Sequence, residues 1–204
     1  MIAVIWGVSG LVILGGVFLP IISYNVFSQK NFPELLSLVI TDYTKASHWF
    51  PNGVESNGFA VAKVDFYTLT ISKLEIEGAV VAMGGEDLAK SLIQYPGTAL
   101  PGKKGNAVIF GHSILPIFYN PHNYLSIFSK LPILKPGDEI KINYDNVLYR
   151  YRVESLFEVK PTDIQVLQQD PSDSFLTLVT CVPPGDPRKP KRLVVRARII
   201  PLES

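Results

Sequence analysis

Two hydrophobic patterns divide this chain: one long unbroken apolar run at its start, and short alternating runs in the remainder. The run from Ile2 to Ile22 is almost wholly apolar, and no charged side chain occurs before Lys30. At about 1.5 Å per residue, such a run spans the roughly 30 Å hydrocarbon core of a bilayer. It lacks the basic start, short apolar core and small-residue cleavage site of a signal peptide. The pattern predicts a transmembrane helix within residues 1–28.

The segment that follows, residues 29–58, predicts a juxtamembrane helix or linker. Pro33 stands near its start, and apolar residues recur at mixed helical spacing up to Phe50. A Pro-Asn-Gly turn follows at 51–53, and the residues after it are also typical of turns. We therefore place the domain boundary between about 51 and 60, with the linker ending at 58 and a folded domain over 59–204.

From residue 59 the pattern is that of a mainly β domain. Alternating or fully apolar runs predict strands, and the two runs on either side of Asp145-Asn146 predict a hairpin. Acidic residues in a first turn, followed by Leu88, Leu92 and Ile93, predict a short helix over residues 86–95. Sixteen prolines and fifteen glycines separate these short elements. Seven or eight strands of this kind favour a closed or nearly closed β-barrel with short helices. The predicted strands cover 64–71, 74–83, 106–110, 139–144, 147–159, 175–180 and 193–200.

Composition and charge narrow the possible functions. Hydrophobic residues make up 47% and charged residues 18% of the chain, which excludes an intrinsically disordered protein. Nineteen basic residues against eighteen acidic ones leave a net charge of +1, so no basic excess favours nucleic-acid binding. The single cysteine, Cys181, cannot form an intramolecular disulfide. It is therefore either a small buried core residue or a reactive thiol.

Three residues with catalytic chemistry stand at predicted strand ends. His112 follows the strand NAVIF, Cys181 ends the strand TLVTC, and Arg192 opens the last strand eleven residues later. If the last two strands are neighbours, Cys181 and Arg192 lie at the same end of the barrel. A thiolate is a strong nucleophile towards amides, and imidazole exchanges protons near neutral pH. A guanidinium stabilises an oxyanion. The pattern predicts Cys181 as nucleophile, His112 as acid/base and Arg192 as oxyanion partner.

In these segments the sequence resembles the sortase family. Thr-Leu-Val-Thr-Cys at 177–181 is similar to the family's TLxTC strand, Gly111-His112 to its Gly-His element, and Arg192 to the arginine that opens its last strand. The likeness runs in order from about Asp65 to Ile200. It implies an eight-stranded barrel that cleaves an LPxTG-like sorting motif between Thr and Gly through a thioester acyl-enzyme.

The same resemblance implies the partners and the location. The substrates would be surface proteins that carry a C-terminal sorting motif, and the acceptor would be an amine of the cell wall or of a pilin. The chain would be a single-pass protein of the plasma membrane, anchored in lipid by its N-terminal helix. Its catalytic domain would lie on the extracytoplasmic side. No acidic cluster suggests a calcium site, and we predict neither a metal nor a cofactor.

Several assignments have alternatives. Thr180, beside the thiol, is a candidate substrate-binding residue or simply the end of a strand. Arg196 shares the face of Arg192 but lies four residues further along the strand, too far from a cleft at the strand start. His122 is assigned to a polar turn, with the rim of the cleft as the alternative. The whole domain could also be a membrane-anchored cysteine peptidase that hydrolyses the thioester, or an inactive barrel that only binds sorting peptides.

Overall fold

Eight strands close into a mixed barrel in the order β1-β2-β3-β4-β7-β8-β6-β5. The computed structural model describes residues 44–50 and 66–201. Most neighbours are antiparallel, whereas β2–β3 and β4–β7 are parallel, and the β1–β5 pair closes the ring. The strands are β1 (Phe66–Ile71), β2 (Ile76–Met83), β3 (Leu92–Gln94), β4 (Gly105–Phe110), β5 (Glu139–Tyr144), β6 (Val147–Val159), β7 (Ser174–Val182) and β8 (Lys191–Ile199).

The predicted hairpin is confirmed as β5–β6. Tyr144 pairs with Val147, which leaves Asp145 and Asn146 as a two-residue turn. Their φ angles of 52° and 60° are those of a primed turn, a conformation that Asn and Asp tolerate better than most residues. The alternation in β5 and β6 and this dipeptide therefore fixed the pairing register locally.

Strands β4 and β7 are buried on both faces. All six residues of β4 and all nine of β7 are buried. Leu176 and Leu178 of β7 belong to the cluster that fills the barrel, whereas Val179 belongs to a second cluster on the outside of the sheet. Two covered faces explain why these strands read as continuous apolar runs. We call the second group of side chains the outer cluster; it comprises Ala46, Trp49, Phe50, Ala82, Leu88, Ile93, Tyr95, Val108, Phe110, Val166, Val179, Cys181 and Val194.

The predicted helix over residues 86–95 is wrong. Asp87 forms an isolated bridge with Lys45, a turn follows, and β3 occupies the end of the segment. Leu92 faces the barrel interior and Ile93 faces the outer cluster. This short strand is covered on both sides, so both of its successive residues Leu92 and Ile93 are apolar. Their separation of four and five positions from Leu88 resembles helical spacing by coincidence.

Helical structure is limited to short 3₁₀ turns among the described residues. None of the described helices has the length and apolar character needed to cross a bilayer. The predicted anchor over 1–28 and most of the predicted linker over 29–58 lie outside the described residues. The 3₁₀ turns are Ala46–Trp49, Ser72–Leu74, Pro116–Phe118, Leu131–Ile133 and Ile164–Leu167.

Candidate active site

Cys181 points away from the barrel interior. Along β7 the residues Leu178 and Val182 contribute to the interior, while Val179 and Cys181 contribute to the outer cluster, as strand alternation requires. The thiol residue is 1% exposed. It is therefore buried by what covers the outside of the sheet and not by the barrel core.

Arg192 lies beside Cys181 on the same face. The two residues are Cα partners in the antiparallel β7–β8 ladder, which places their side chains next to each other. Arg192 is fully buried, and its guanidinium is held by backbone carbonyl groups. Nη1 donates to Lys189 O at 2.8 Å and to Lys191 O at 3.3 Å, while Nη2 donates to Trp49 O at 3.1 Å. These bonds offset part of the cost of burying a charge.

His112 continues the outer face of β4. Val108 and Phe110 belong to the outer cluster, and His112 follows two residues later. Its ring centroid lies 5.8 Å from that of Trp49, and the Arg192 guanidinium carbon lies 5.4 Å from the centroid of the same Trp49 ring. His112, two residues beyond the end of β4, and Arg192 of β8 thus contact the same aromatic side chain. The three residues predicted from the sequence occupy one region of the outer face.

The glycine before His112 is required by close packing. A Cβ atom built at Gly111 would lie 2.5 Å from Phe128 Cδ2 and 2.6 Å from Leu92 Cδ2. Real carbon–carbon contacts are about 3.5–4.0 Å, so any larger residue would displace these two side chains. The Gly-His pair therefore lets β4 run against the core at the point where the imidazole emerges.

Residues 44–50 form a covering segment over the site. The segment is anchored on the loop before β3, because Leu88 N donates to Thr44 O at 3.0 Å and Ala46 N donates to Glu86 O at 3.2 Å. Trp49 is fully buried and stacks on Phe110 with ring centroids 5.3 Å apart and an interplanar angle of 10°. Its contacts with His112 and Arg192 place it over the site. The covering segment thus lies against His112 and Arg192 and shares the outer cluster with Cys181.

The surroundings of the thiol have opposing effects on its pKa. Burial raises the pKa of Cys181 above its ordinary value, and the positive charges of Arg192 and Lys189 partly offset this increase. In the covered state the thiol form is therefore favoured. Removing the cover would hydrate the sulfur and lower its pKa, while Arg192 would remain beside it as the β7–β8 partner.

The β7–β8 loop is folded around Asp186. This carboxylate accepts hydrogen bonds from the Arg188 backbone N at 2.9 Å and from Nη2 at 2.8 Å. Burial acts to raise the pKa of Asp186, but the bonds from Arg188 together outweigh it and hold that pKa below its usual value. Lys189 N donates to Asp186 O in the same turn, at 3.1 Å. The turn presents Lys189 O to Arg192, so the loop helps to orient the guanidinium.

Replacing Trp49 with alanine is expected to expose the thiol. Removal of a buried tryptophan typically costs about 3–5 kcal/mol, and each 1.4 kcal/mol is a factor of about ten in a local equilibrium. We expect alkylation of Cys181 by iodoacetamide to accelerate at least about tenfold at neutral pH. The midpoint of its pH dependence should move down, because burial is the largest cause of the raised pKa. The chain has one cysteine, so alkylation measured by mass spectrometry reports on this site alone.

Phe118 provides a matched aromatic control for this measurement. Its side chain is 64% exposed and lies outside the outer cluster, so Phe118→Ala should leave the alkylation rate unchanged. An unchanged rate in Trp49→Ala would contradict the assignment and would mean that another part of the chain shields the sulfur.

The remaining predicted residues fall in different places. Thr180 is fully buried, and its hydroxyl donates to Gly111 O at 2.8 Å. Arg196 lies on the same strand as Arg192, and its guanidinium packs over Phe175, 5.6 Å from the ring centroid. His122 is exposed in a turn, as expected. Among residues 44–50 and 66–201, no three His, Cys, Asp or Glu side chains group as metal ligands do.

Sequence reasoning did not identify two residues of this region. Trp49 lies within the predicted linker, although the aromatic pair Trp49-Phe50 before a proline is a usable signal of a docked segment. Ser113 follows His112 directly and carries no chemistry that singles it out in the sequence. Its hydroxyl donates to the backbone O of Cys181 at 2.6 Å and links the two candidate catalytic strands. No local pattern predicts such a contact, because the partners are 68 residues apart.

Comparisons with known proteins agree on one family. A family model described as the sortase domain matches residues 69–200. Sortase A of Staphylococcus aureus is 32% identical over 103 residues, which cover 43% of this chain and 47% of that protein. Sortase A of Streptococcus agalactiae is 32% identical over 73 residues, covering 36% of this chain and 28% of that protein. The matches thus span less than half the length of these curated relatives.

The fold comparison gives the same result. The solved structure of a sortase D5 transpeptidase from Clostridium perfringens aligns with a TM-score of 0.57 and 28% sequence identity. The alignment covers 67% of this chain and 79% of that structure. The predicted closed eight-stranded barrel is confirmed by the strand order and by this similarity.

Proposed function

Since this chain belongs to the sortase family, we propose that it is a cysteine transpeptidase that exchanges one peptide bond for another. The observation that carries the proposal is the placement of one sulfur, one imidazole and one guanidinium on the same outer face. Cys181 and Arg192 are ladder partners, and Arg192 and His112 both contact the Trp49 ring. This combination supplies a nucleophile, a proton carrier and an oxyanion partner.

Acyl-enzyme formation follows from these three groups. Cys181 gives its proton to His112, which becomes the imidazolium. The thiolate then attacks the substrate carbonyl carbon, a C–S bond forms, and the carbonyl π electrons move to the oxygen. Arg192, adjacent on β8, stabilises that oxyanion with a permanent charge and rigid N–H donors. The tetrahedral intermediate then collapses and the C–N bond breaks. The leaving amine takes a proton from the His112 imidazolium, and a thioester remains.

Transfer reverses the same steps with a different amine. His112 accepts a proton from the incoming amine as its nitrogen attacks the thioester carbonyl. The C–S bond breaks, and the thiolate of Cys181 is regenerated. A thioester retains much of the free energy of the cleaved amide, so the new amide can form without a nucleoside triphosphate. This chemistry suits a compartment that lacks ATP. The predicted anchor would place the catalytic domain in such a compartment.

We extend the proposal to substrates and location on the resemblance to the family. The donor would be a surface protein with an LPxTG-like sorting motif, cleaved between Thr and Gly. The acceptor would be an amine of the cell wall or of a pilin. Residues 1–28 would anchor the chain in the plasma membrane, with residues 59–204 on the extracytoplasmic side. Peptide entry also requires displacement of the covering segment, because Trp49 O occupies Nη2 of Arg192.

The proposal is tested with the full chain in detergent micelles. A fluorescent LPxTG-like peptide is incubated with and without triglycine, and the products are identified by mass spectrometry. We expect a new amide that joins the peptide's threonine to triglycine, and a transient adduct on Cys181. Hydrolysis without transfer, even at high amine concentration, would indicate a peptidase instead. Binding without either product would indicate an inactive barrel.

A further inference from the structure

The segment that carries His112 is tied to the strand that carries Cys181 by two side-chain hydroxyls. The Oγ1 of Thr180 donates to Gly111 O at 2.8 Å, and the Oγ of Ser113 donates to Cys181 O at 2.6 Å. The first bond lies immediately before His112 and the second immediately after it. Both hydroxyl-bearing residues are buried: Thr180 is 0% exposed and Ser113 is 4% exposed.

These two bonds extend the backbone ladder between β4 and β7. Gly111 N donates to Val179 O at 3.2 Å, one residue beyond the end of β4. In a parallel ladder the next bond from this strand would come two residues later and would reach Cys181 O. That position is filled by the hydroxyl of Ser113. The Ser113 side chain therefore takes the place of a backbone donor and extends the β4–β7 ladder to Cys181.

The opposite side of the His112 segment is also held. Phe128 N donates to His112 O at 2.9 Å, and Ile114 N donates to the Oγ of Ser129 at 2.9 Å. The backbone around His112 is thus fixed on one side by β7 and on the other by residues 128–129. The two hydroxyl bonds to β7 therefore belong to a set of bonds that holds the backbone on both sides of His112.

We propose that Ser113 and Thr180 are positioning residues that hold the His112 imidazole in register with the Cys181 sulfur. The inference rests on the proposed function, in which His112 exchanges a proton at the nitrogen bonded to the attacked carbon. A displacement of about 1 Å at a reacting group can lower a rate roughly 10²-fold, so a fixed relation between the two strands matters for turnover. This role differs from the substrate contact expected for Thr180, because its hydroxyl is engaged with Gly111 O.

Paired substitutions separate the hydroxyl from the shape of each side chain. Ser113→Ala and Thr180→Val remove the donor, while Ser113→Thr and Thr180→Ser retain it. We expect each donor-removing variant to lower kcat about 10- to 100-fold with KM changed less than about twofold. The hydroxyl-retaining variants should keep most of the activity. The control is Ser126→Ala, which also removes a buried serine hydroxyl bonded to a backbone carbonyl, Asn120 O at 3.0 Å, and should leave kcat unchanged.

A second measurement does not depend on turnover. The chain has three histidines, and His112→Gln identifies the ring signals of His112 in NMR spectra of the full chain. We expect Ser113→Ala and Thr180→Val to change the chemical shift or line width of these signals and Ser126→Ala to leave them alone. An unchanged His112 ring in both variants would overturn the inference, even if the wild-type chain proves inactive as a transpeptidase. A raised KM with normal kcat in Thr180→Val would instead return Thr180 to substrate binding.

Discussion

Replacing Cys181 with alanine should abolish peptide transfer while leaving the barrel folded. In the proposed mechanism the sulfur forms the thioester, and loss of the nucleophile in enzymes that use one lowers turnover by about 10⁴-fold or more. The cost in stability should be small, about 1–2 kcal/mol, because only one sulfur atom is removed from the outer cluster. Mass-spectrometric detection of the transfer product and thermal unfolding followed by circular dichroism measure the two effects separately.

Cys181→Ser serves as the matched control for shape. It keeps a side chain of similar size at the same place on β7, but a hydroxyl is a much weaker nucleophile than a thiolate at neutral pH. We expect both variants to be inactive, and both to bind the sorting peptide once the covering segment is displaced. Unfolding of Cys181→Ala under mild conditions would contradict the prediction and would make the thiol a structural residue of the outer cluster.

The fold was predictable where local pattern and final environment coincide. The β5–β6 hairpin is exposed on part of one face, so apolar and polar residues alternate along it, and Asp145-Asn146 suits its tight turn. Strands β4 and β7 were also predictable, because burial on both faces produces uninterrupted apolar runs. In each case the sequence of a short segment contains the information that defines the element.

The errors arose where long-range packing determines the structure. Strand β3 has only three residues, and its Leu92 and Ile93 face different clusters, a pattern that resembles one helical turn. Only the neighbouring strands β2 and β4 distinguish the two structures.

The candidate site shows the same division. His112, Cys181 and Arg192 could be selected because their chemistry and their positions at strand ends are visible in the sequence. The covering segment could not be placed on the site, because Trp49 reaches Arg192 across 143 positions of the chain. Burial of the Cys181 thiol in the outer cluster is likewise a property of tertiary structure. It depends on which face of β7 the residue occupies and on what lies over it.

Replacing Arg192 with alanine should lower the rate of acyl transfer about 10²- to 10³-fold, as loss of an oxyanion donor does in other acyl-transfer enzymes. The effect should appear in kcat, since in the proposed mechanism the guanidinium acts on charge that develops only in the transition state. Arg192→Lys retains a charge but loses the planar set of donors, so we expect it to recover only part of the rate. Arg196→Ala is the matched control, because it lies on the same face four residues, or roughly 13 Å, further along β8.

Arg192 also holds the covering segment, and this second role sharpens the test. Its Nη2 bond to Trp49 O and its contact with the Trp49 ring are both lost in the alanine variant. The site should therefore open more easily while turnover falls. Iodoacetamide alkylation compared at high pH, where the thiol is ionised in both proteins, should be faster in Arg192→Ala than in the wild type. A more accessible sulfur with a normal kcat in Arg192→Ala would show that Arg192 only anchors the covering segment. The oxyanion role would then belong to another residue.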